Sequence, residues 1–235
     1  MECRVPSSSK ERARVAALRR YRLLDTPAEQ SFDDITGLAA FICSAPAAAM
    51  SLVDSERQWF KAAVGTELRE SAREHAFCAH TIQDTTTLVV EDATADARFA
   101  GSPLVTGEHK IRFYAGAPLI TPEGHRIGAL CVIDRRKRGI SSEQKTALET
   151  LARQVMVQIE LRRVSAQLAE TISEVGRLGG MLPMCAYCKG VRDDAGYWQK
   201  VEAYISQLND MDLSHGICPD CAKQHFPDID LAGGV

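Results

Sequence analysis

Two closely spaced pairs of cysteines constrain the fold of this chain more than any other feature of its sequence. Cys185 and Cys188 form one C-x2-C pair, Cys218 and Cys221 form the second, and 29 residues separate the two pairs. Four thiolates in this arrangement are typical of a tetrahedral zinc ion, at about 2.3 Å from each sulfur, with no coordination position left open for catalysis. The spacing therefore predicts a structural zinc site.

The fourth ligand and the chemistry of the cysteine pairs leave alternatives. His215, three residues before Cys218, is a second candidate for the fourth ligand, and we favour a role in orienting a thiolate. Cys185 and Cys188 could instead form a thioredoxin-like dithiol, but that motif requires a βαβ context, and here a second cysteine pair follows. From residue 181 to 230, four basic and eight acidic residues give a net charge of −4, which disfavours binding to nucleic acid.

The segment between the cysteine pairs is too small to fold by apolar burial alone. Trp198, Val201, Ile205 and Leu208 recur at helical spacing and predict an amphipathic helix that packs over the metal. A module of about 50 residues buries little apolar surface, and a structural zinc ion would stabilise it by on the order of 10 kcal/mol. We therefore expect residues 181–235 to form a module that depends on zinc as its cofactor.

The length and composition of the chain are consistent with one larger domain besides the cysteine module. The N-terminal sequence bears on the compartment, which we expect to be reducing. With 235 residues, 45% of them hydrophobic, the chain can bury one substantial core, and its net charge of −3 gives no sign of a nucleic-acid partner. Residues 1–22 lack the apolar run of a signal peptide, so a cytoplasmic location is expected. Nineteen uncharged residues lie between Asp34 and Asp54, but Pro46 interrupts them and many are alanine, which favours a buried helix and strand over a membrane span.

A long uninterrupted helix is predicted in the second half of the chain. A capping box begins at Ser141, with Gln144 three residues later, and neither Gly nor Pro occurs from there to Val175. Such a helix extends about 50 Å, beyond what one small domain covers. Apolar residues in its second half follow a heptad spacing, with Thr171 as the weak member, and predict a coiled coil and a homodimer. They are Leu161, Val164, Leu168 and Val175.

Short apolar segments before this helix predict an antiparallel sheet. Two of them follow Pro46, and two more, within residues 111–135, are joined by a Pro-Glu-Gly turn. With a fifth segment at 87–92 they make about five strands with helices before and after, which is an α+β fold. Residues 26–29, Thr-Pro-Ala-Glu, form another capping box and predict a helix that starts at that point.

Five sequence blocks between residues 22 and 163 carry a family resemblance. They are RLLDTPAEQSFDDIT, MSLVDSERQWFKAAVG, FCAHTI, VVEDATADARFAGSPLV and IRFYAGAPLITPEGHRIGALCVIDR. Together they resemble the GAF domains that serve as input modules of bacterial histidine kinases and diguanylate cyclases, over 142 of the 235 residues. The tail from Leu182 to Cys221 is similar to a cysteine-paired module appended to bacterial sensor and response-regulator proteins.

The resemblance implies a GAF-like sheet with helices on one face and a ligand pocket on the other, roofed by residues 74–83 and 93–110. The implied pocket residues are Phe77, Cys78, His80, Asp92, Phe99, Arg112 and Tyr114. The Asn-Lys-Phe-Asp-Glu signature of cyclic-nucleotide-binding members is absent, and no bilin-attachment segment surrounds Cys78, which disfavours both ligand classes. Each residue also has a purely structural interpretation, such as a cysteine in the core or an arginine paired with Asp92 or Glu91.

The resemblance also implies a signal-transduction sensor. It would bind a small molecule and pass the signal through the long helix to the zinc module or to a partner such as a histidine kinase. No kinase ATP-binding signature, phosphate-binding glycine loop or cyclase motif is visible, so we predict a non-catalytic protein. One alternative is a redox enzyme similar to the GAF-type free methionine sulfoxide reductases, with Cys78 and Cys131 as reactive thiols. A structural scaffold whose pocket is filled by side chains is a third interpretation.

The predicted elements divide the chain into four parts. We expect an N-terminal helix at residues 1–21 and a GAF domain at 22–163, whose last helix begins near residue 141. A helical linker at 164–180 and the zinc module at 181–235 follow. Nothing in the sequence indicates a membrane or nucleic acid as a partner.

Overall fold

The computed structural model of the chain consists of two compact units, Met1–Glu170 and Thr171–Val235. The division between them falls within the segment 164–180 that the sequence predicts as a linker. The structure describes residues 9–178, 183–193, 195–209, 217, 221 and 224–225.

Helices and strands alternate in the first unit. Its helices are α1 (Ser9–Arg20), α2 (Gln30–Ile42), the short α3 (Phe77–Thr81) and α4 (Pro103–Thr106), and α5 (Ser142–Leu178), which continues into the second unit. Its strands are β1 (Ala47–Val53), β2 (Arg57–Val64), β3 (Glu70–Ala72), β4 (Leu88–Val90), β5 (Phe113–Ile120) and β6 (Arg126–Asp134). A single 3-10 turn, Arg73–His75, precedes α3.

The six strands form one sheet in the order β3-β2-β1-β6-β5-β4, and every neighbouring pair is antiparallel. This confirms the predicted α+β fold with an antiparallel sheet and flanking helices. The sequence predicts about five strands, and the additional one is β3 at the sheet edge. Its three residues, Glu-Ser-Ala, contain no apolar alternation that could have indicated a strand.

Each face of the sheet carries its own apolar core. Side chains alternate along β1, so that Ala48, Met50 and Leu52 pack against α1, α2 and α5, whereas Ala49 and Val53 pack against α3 and the loops around it. We call the second surface the roof face, because α3, α4 and the loop 91–112 cover it. The alternation explains why β1 has no polar side: both of its faces are buried.

The predicted start of α2 is wrong, because α2 begins at Gln30 and Thr26 does not cap it. The Lys61 ammonium donates to Thr26 Oγ1 at 2.7 Å, to the Pro27 carbonyl at 2.6 Å and to Glu29 Oε1 at 2.6 Å. The Lys61 side chain is completely buried, and a buried charge is tolerated only when it is paired and hydrogen-bonded. The side chains of Thr26 and Glu29 therefore bind the Lys61 ammonium and do not cap α2.

The long helix α5 begins as the sequence predicts. The Gln144 N–H donates to Ser141 Oγ at 3.2 Å, and the Ser141 N–H donates to Gln144 Oε1 at 3.2 Å, the reciprocal bonds of a capping box. The 37 residues of α5 rise about 55 Å, so the long helix is confirmed. Within the described residues, no helix is both long and apolar enough to cross a membrane.

The second unit contains a hairpin and a helix. β7 (Val191–Arg192) pairs with β8 (Trp198–Gln199), and α6 (Val201–Asn209) follows. Trp198 therefore lies in a strand, and the predicted amphipathic helix is shorter than expected. The side chain of Leu208, the last residue of that predicted helix face, lies outside the described residues.

Candidate functional site

Three aromatic rings stack at the centre of the roof face. The Phe77 ring from α3 lies 4.1 Å from the Phe99 ring and 5.0 Å from the Tyr114 ring, measured between centroids. His80 meets the edge of Phe99 at 4.8 Å. Phe77, Phe99 and Tyr114 are almost fully buried, so the stack fills the space between the sheet and α3.

A hydrogen-bonded chain of polar atoms runs beneath the rings. The Tyr114 hydroxyl lies 2.7 Å from Thr81 Oγ1 and donates to Cys78 Sγ at 3.2 Å. Cys78 Sγ lies 3.9 Å from Cys131 Sγ, and the Cys131 thiol donates to the Ala49 carbonyl at 3.4 Å. The two cysteines that the sequence places in separate apolar segments are therefore neighbours across α3 and β6.

The two thiols differ in acidity because their environments differ. Burial raises the pKa of Cys78, but its contacts with Cys131, Ser51 and Tyr114 outweigh burial and lower it overall. The contact with Cys78 together with burial raises the pKa of Cys131 well above its ordinary value. Cys78 is thus the more acidic thiol of the pair.

Gly116 makes the position of the Tyr114 hydroxyl possible. A Cβ atom on Gly116 would lie 2.1 Å from that hydroxyl oxygen, far inside van der Waals contact. Because glycine has no side chain, the tyrosine can lie along β5 with its hydroxyl over the glycine. A larger residue at Gly116 would displace the Tyr114 hydroxyl and its bond to Cys78.

His80 is the titratable side chain at the edge of the stack. Burial lowers its pKa, and the positive charge of Arg98 lowers it further. A histidine with a lowered pKa is uncharged near neutral pH. His80 can therefore donate or accept a hydrogen bond at the surface of the roof face but carries no charge there.

Asp92 and Arg112 lie apart from the ring stack and hold the loop that surrounds it. The Asp92 carboxylate accepts hydrogen bonds from the Thr94 N–H at 3.0 Å and the Thr94 hydroxyl at 2.6 Å, and these bonds lower its pKa. The Arg112 guanidinium donates to the carbonyls of Val105 at 2.9 Å and Ile111 at 3.0 Å. Of the seven predicted pocket residues, the structure therefore brings five together and places these two in the loop.

A cavity of about 720 Å³ borders the roof-face core, between the start of β1, the ends of β2 and β6 and the loop before β5. We call it the roof cavity. Its lining consists of Ser44, Ala45, Pro46, Ala47, Phe60, Gly65, Thr66, Leu68, His109, Ile111, Ile133, Asp134, Arg135 and Arg136. Phe60 and Ile111 belong to both the roof-face core and the cavity wall. None of the seven predicted pocket residues lines this cavity, and their role in ligand binding stays a prediction.

Sequence reasoning missed the cavity because its wall comes from four separated segments. One visible signal was the basic run Arg135-Arg136-Lys137-Arg138 directly after β6. A second was Gly65, whose φ of +70° and close approach to Pro46 leave no room for a side chain: a Cβ there would lie 1.9 Å from the Pro46 carbonyl oxygen. Gly65 and Pro46 both line the cavity.

The predicted zinc ligands are only partly described. Cys185 and Cys188 lie in a tight turn, in which the Cys185 N–H donates to the Gly190 carbonyl at 2.8 Å and the Lys189 N–H donates to the Cys185 carbonyl at 3.1 Å. Hydrogen bonds from the backbone N–H groups of Cys188 and Tyr187 lower the pKa of Cys185.

The other predicted ligands come from the second cysteine pair and its neighbouring histidine. Cys221 is described and exposed, whereas Cys218 and His215 lie outside the described residues. Among the described residues, no three His, Cys, Asp or Glu side chains are grouped as a metal site would require. The zinc site therefore stays a prediction.

The chain is similar in sequence to a known domain family and to a known bacterial enzyme. The chain matches the sequence model of the GAF domain over residues 15–159. It is 41% identical over 174 residues to a cyclic di-GMP phosphodiesterase of Pseudomonas aeruginosa, a match that covers 74% of this chain and 30% of that protein. The chain thus spans about a third of the length of the curated relative it matches.

Solved structures also match this chain, among them the two that follow. The GAF domain of a phosphoenolpyruvate-protein phosphotransferase from Coxiella burnetii has a TM-score of 0.51 and 17% identity, covering 68% of this chain and 99% of that one. Free methionine-R-sulfoxide reductase from Neisseria meningitidis has a TM-score of 0.48 and 17% identity, covering 68% and 95%. At these identities, the likeness to the Coxiella domain shows the fold alone.

The curated relative corrects one prediction. The absence of catalytic motifs led us to predict a non-catalytic protein, and this prediction is wrong, because a relative with 41% identity is named as an enzyme. The error came from treating missing motifs in one chain as proof of missing activity. Short catalytic motifs indicate a reaction when they are present, but their absence excludes little.

Proposed function

This chain belongs to the GAF domain family, which it matches over residues 15–159, and from that membership we propose that it is a sensor that regulates the hydrolysis of cyclic di-GMP. In this proposal the roof cavity binds a small molecule, and α5 carries the resulting change to the second unit or to a partner protein. The link to cyclic di-GMP rests on the 41% identity to the Pseudomonas aeruginosa phosphodiesterase.

The observation that carries the proposal is the roof cavity itself. Its volume of about 720 Å³ is within the range of small-molecule sites, about 300 to 1,000 Å³. It combines apolar walls, Phe60 and Ile133 among them, with a few polar groups such as His109 and Thr66.

The cavity is connected to α5 through the end of β6. Residues 133–136 line the cavity, and the chain then leads directly into α5 at Ser142. Arg138, between β6 and α5, connects this segment to the cavity wall. Its guanidinium donates to the carbonyls of Ser44 at 2.7 Å and Cys43 at 2.6 Å, and Ser44 also lines the cavity. A ligand that moves the end of β6 would therefore also move the start of α5.

The proposal includes two features of the C-terminal half that support signal transfer. An exposed apolar stripe on α5 would pair with α5 of a second copy, so that the sensor acts as a homodimer. Cys185, Cys188, Cys218 and Cys221 would hold a structural zinc ion that keeps the second unit folded. The tight turn at Cys185 and Cys188 supports this ligand assignment.

A domain exchange tests the regulatory role. The matching 174-residue segment of the Pseudomonas aeruginosa phosphodiesterase would be replaced by the corresponding segment of this chain, and cyclic di-GMP hydrolysis would be followed by chromatography. We expect the chimera to hydrolyse cyclic di-GMP, and we expect Ala47→Leu, which fills the roof cavity, to change its rate. The control is Arg12→Gln, an exposed substitution on α1 that should leave the rate unchanged. A folded chimera whose rate is the same with and without Ala47→Leu would contradict the proposal.

A redox enzyme is the second candidate, and the observation that favours it is the 3.9 Å distance between the sulfurs of Cys78 and Cys131. Both thiols are 1% exposed, so α3 would have to move before a substrate could reach them. Reduction of free methionine sulfoxide by the full chain, coupled to a thiol reductant, tests this function. Turnover that disappears in Cys78→Ser but persists in Cys43→Ser would support it, and no turnover by the folded protein would refute it.

A further inference from the structure

The roof cavity has an apolar interior and a basic rim. Phe60, Leu68, Ile111 and Ile133 form its apolar wall. Phe60 and Ile133 face it for a reason set by the strands: like Ala49 and Cys131, they lie on the roof face, opposite the face that packs on α2 and α5. The interior therefore suits an apolar, ring-sized body.

The basic side chains at the rim have no acidic partners. Within the described part of the chain, the side chains of Arg135, Arg136 and His109 make no hydrogen bond or ion pair, and Arg136 is held through its backbone N–H to Asp134 Oδ1 at 3.0 Å. Asp134 is the one acidic residue in the lining, and its carboxylate lies 3.7 Å from Arg138. The rim is therefore positively charged, with its acid already neutralised.

From these two observations we propose that the roof cavity binds an aromatic or similarly apolar molecule carrying one anionic group, a carboxylate or a phosphate. The apolar body would fill the space between Phe60 and Ile133, and Arg135 and Arg136 would bind the anion. Guanidinium groups bind carboxylates and phosphates through paired charge-assisted hydrogen bonds, whereas a neutral ligand would leave both cations unpaired. This inference rests on the proposed sensor function, because it names the ligand class of the same cavity.

Two fluorescent probes with the same ring framework test the proposal on the full chain. 8-Anilinonaphthalene-1-sulfonate carries an anionic group, and N-phenyl-1-naphthylamine lacks it. We expect both to bind in the cavity, and Ala47→Leu to weaken both, because the added side chain occupies the same space. If Ala47→Leu leaves binding of the anionic probe unchanged, the probe binds elsewhere and the proposal is wrong.

The charge requirement is tested by the double variant Arg135→Gln/Arg136→Gln. We expect it to weaken binding of the anionic probe about tenfold, as loss of two partly exposed charges would predict, and binding of the neutral probe less than twofold. Arg12→Gln, an exposed arginine on α1, is the matched control and should affect neither probe. Raising the salt concentration should weaken the anionic probe in the wild-type protein and have little effect on the double variant.

The outcomes separate this inference from the function on which it depends. If the double variant weakens both probes equally, or neither, while Ala47→Leu abolishes binding, the cavity binds ligands without selecting anions, and only the further inference fails. If neither probe binds to the wild-type protein, the cavity is not a binding site, and the proposed function fails as well.

Competition distinguishes the two sources of the anion. 1-Naphthoate and 1-naphthyl phosphate would each be titrated against the bound anionic probe. Stronger displacement by the phosphate assigns a phosphorylated ligand, and stronger displacement by the carboxylate assigns an aromatic acid. Displacement by neither compound would contradict the proposed ligand class.

Discussion

Glu11 on α1 is a carboxylate shared by two buried arginines, one on α1 and one in the turn before α3. Its carboxylate accepts hydrogen bonds from Arg14 Nη2 at 2.7 Å and Arg73 Nη1 at 2.6 Å. Arg14 also donates to the Val53 carbonyl at 2.7 Å, and Arg73 to the Asp54 carbonyl at 3.0 Å. The two arginine side chains are 7% exposed, so their charges depend on this one carboxylate.

Glu11→Gln should destabilise the first unit by about 2 to 3 kcal/mol, because it leaves two buried arginines without a counter-charge. The measurement is urea unfolding of the full chain followed by tryptophan fluorescence. Arg19→Gln is the control: Arg19 pairs with Asp54 at 3.3 Å but is mostly exposed, so its loss should change stability by less than about 1 kcal/mol. Equal effects of the two substitutions would contradict this account of Glu11.

The same carboxylate should make stability depend on pH. Burial raises the pKa of Glu11, but the hydrogen bonds and charges of Arg14 and Arg73 outweigh it, and the folded pKa lies below the ordinary value. The stabilisation is therefore complete above the unfolded pKa of about 4.5 and is lost as the pH falls through the folded pKa. We expect unfolding free energies measured from neutral pH to about pH 3 to fall less steeply for Glu11→Gln than for the wild type. Parallel curves would count against the assignment.

The predicted zinc site can be tested by substituting its proposed ligands. The purified protein should contain one zinc ion per chain, measured by plasma emission spectroscopy, and either Cys185→Ser or Cys218→Ser should release it. His215→Ala should retain the ion, since we place this histidine outside the first coordination shell. Cys43→Ser, in the first unit, is the control and should retain zinc. Zinc lost from His215→Ala but kept by Cys218→Ser would reverse the ligand assignment.

Among the secondary-structure elements, α5 changes character along its length. Leu148, Val155 and Ile159 in its first half are buried against the sheet. In its second half, the predicted heptad residues Leu161, Val164 and Leu168 are 51% to 58% exposed. The side chain of Val175, the last residue of the predicted heptad stripe, lies outside the described residues. An apolar stripe at heptad spacing on an extended helix indicates pairing with a second helix.

Dimerisation should depend on this stripe. We expect Leu161→Ser/Leu168→Ser to weaken self-association at least tenfold in sedimentation equilibrium, because each substitution removes apolar burial at the helix interface. Ala169→Ser, one position away from the stripe, should leave the association constant unchanged. Truncation after Arg163 should act like the double substitution, and equal dimer affinity with and without residues 164–180 would exclude pairing through α5.

For the whole molecule, the two units differ in what they can bury. The first unit has two apolar cores, one on each face of a six-stranded sheet. In the described part of the second unit, Val191 is the one buried hydrophobic residue, and Trp198 is 56% exposed. Ordering a residue costs roughly 1.5 kcal/mol in conformational entropy, so we expect the second unit to depend on a further source of stability, the predicted zinc ion.

Chelation should therefore unfold the second unit alone. Hydrogen exchange of the full chain, with and without a strong zinc chelator, should show protection lost from residue 181 onward and kept across residues 50–134. Addition of excess zinc should restore the protection, which separates metal loss from damage to the protein. Simultaneous loss of protection in both regions would show that the two units form one cooperative structure.

Features that depend on neighbours in the sequence could be predicted from it. The capping bonds between Ser141 and Gln144 and the long helix that follows them are set by residues a few positions apart. Short apolar segments joined by turn residues, such as those on either side of Pro122-Glu123-Gly124, predict antiparallel strands for the same reason, because a turn is set by adjacent residues. The family resemblance, which combines such local patterns over residues 22–163, overlaps the GAF match at residues 15–159.

Contacts between distant segments could only be decided by the tertiary structure. Thr26 and Glu29 have the spacing of a capping box, yet they bind the buried Lys61 ammonium, since an unpaired buried charge costs more free energy than a missing helix cap. The strand order β2-β1-β6 brings residues 44–47, 60–68 and 133–136 around one cavity, and β6 places Cys131 beside Cys78. The spacing of residues along the chain does not indicate these contacts. They arise because different segments of the chain pack on the two apolar faces of one sheet.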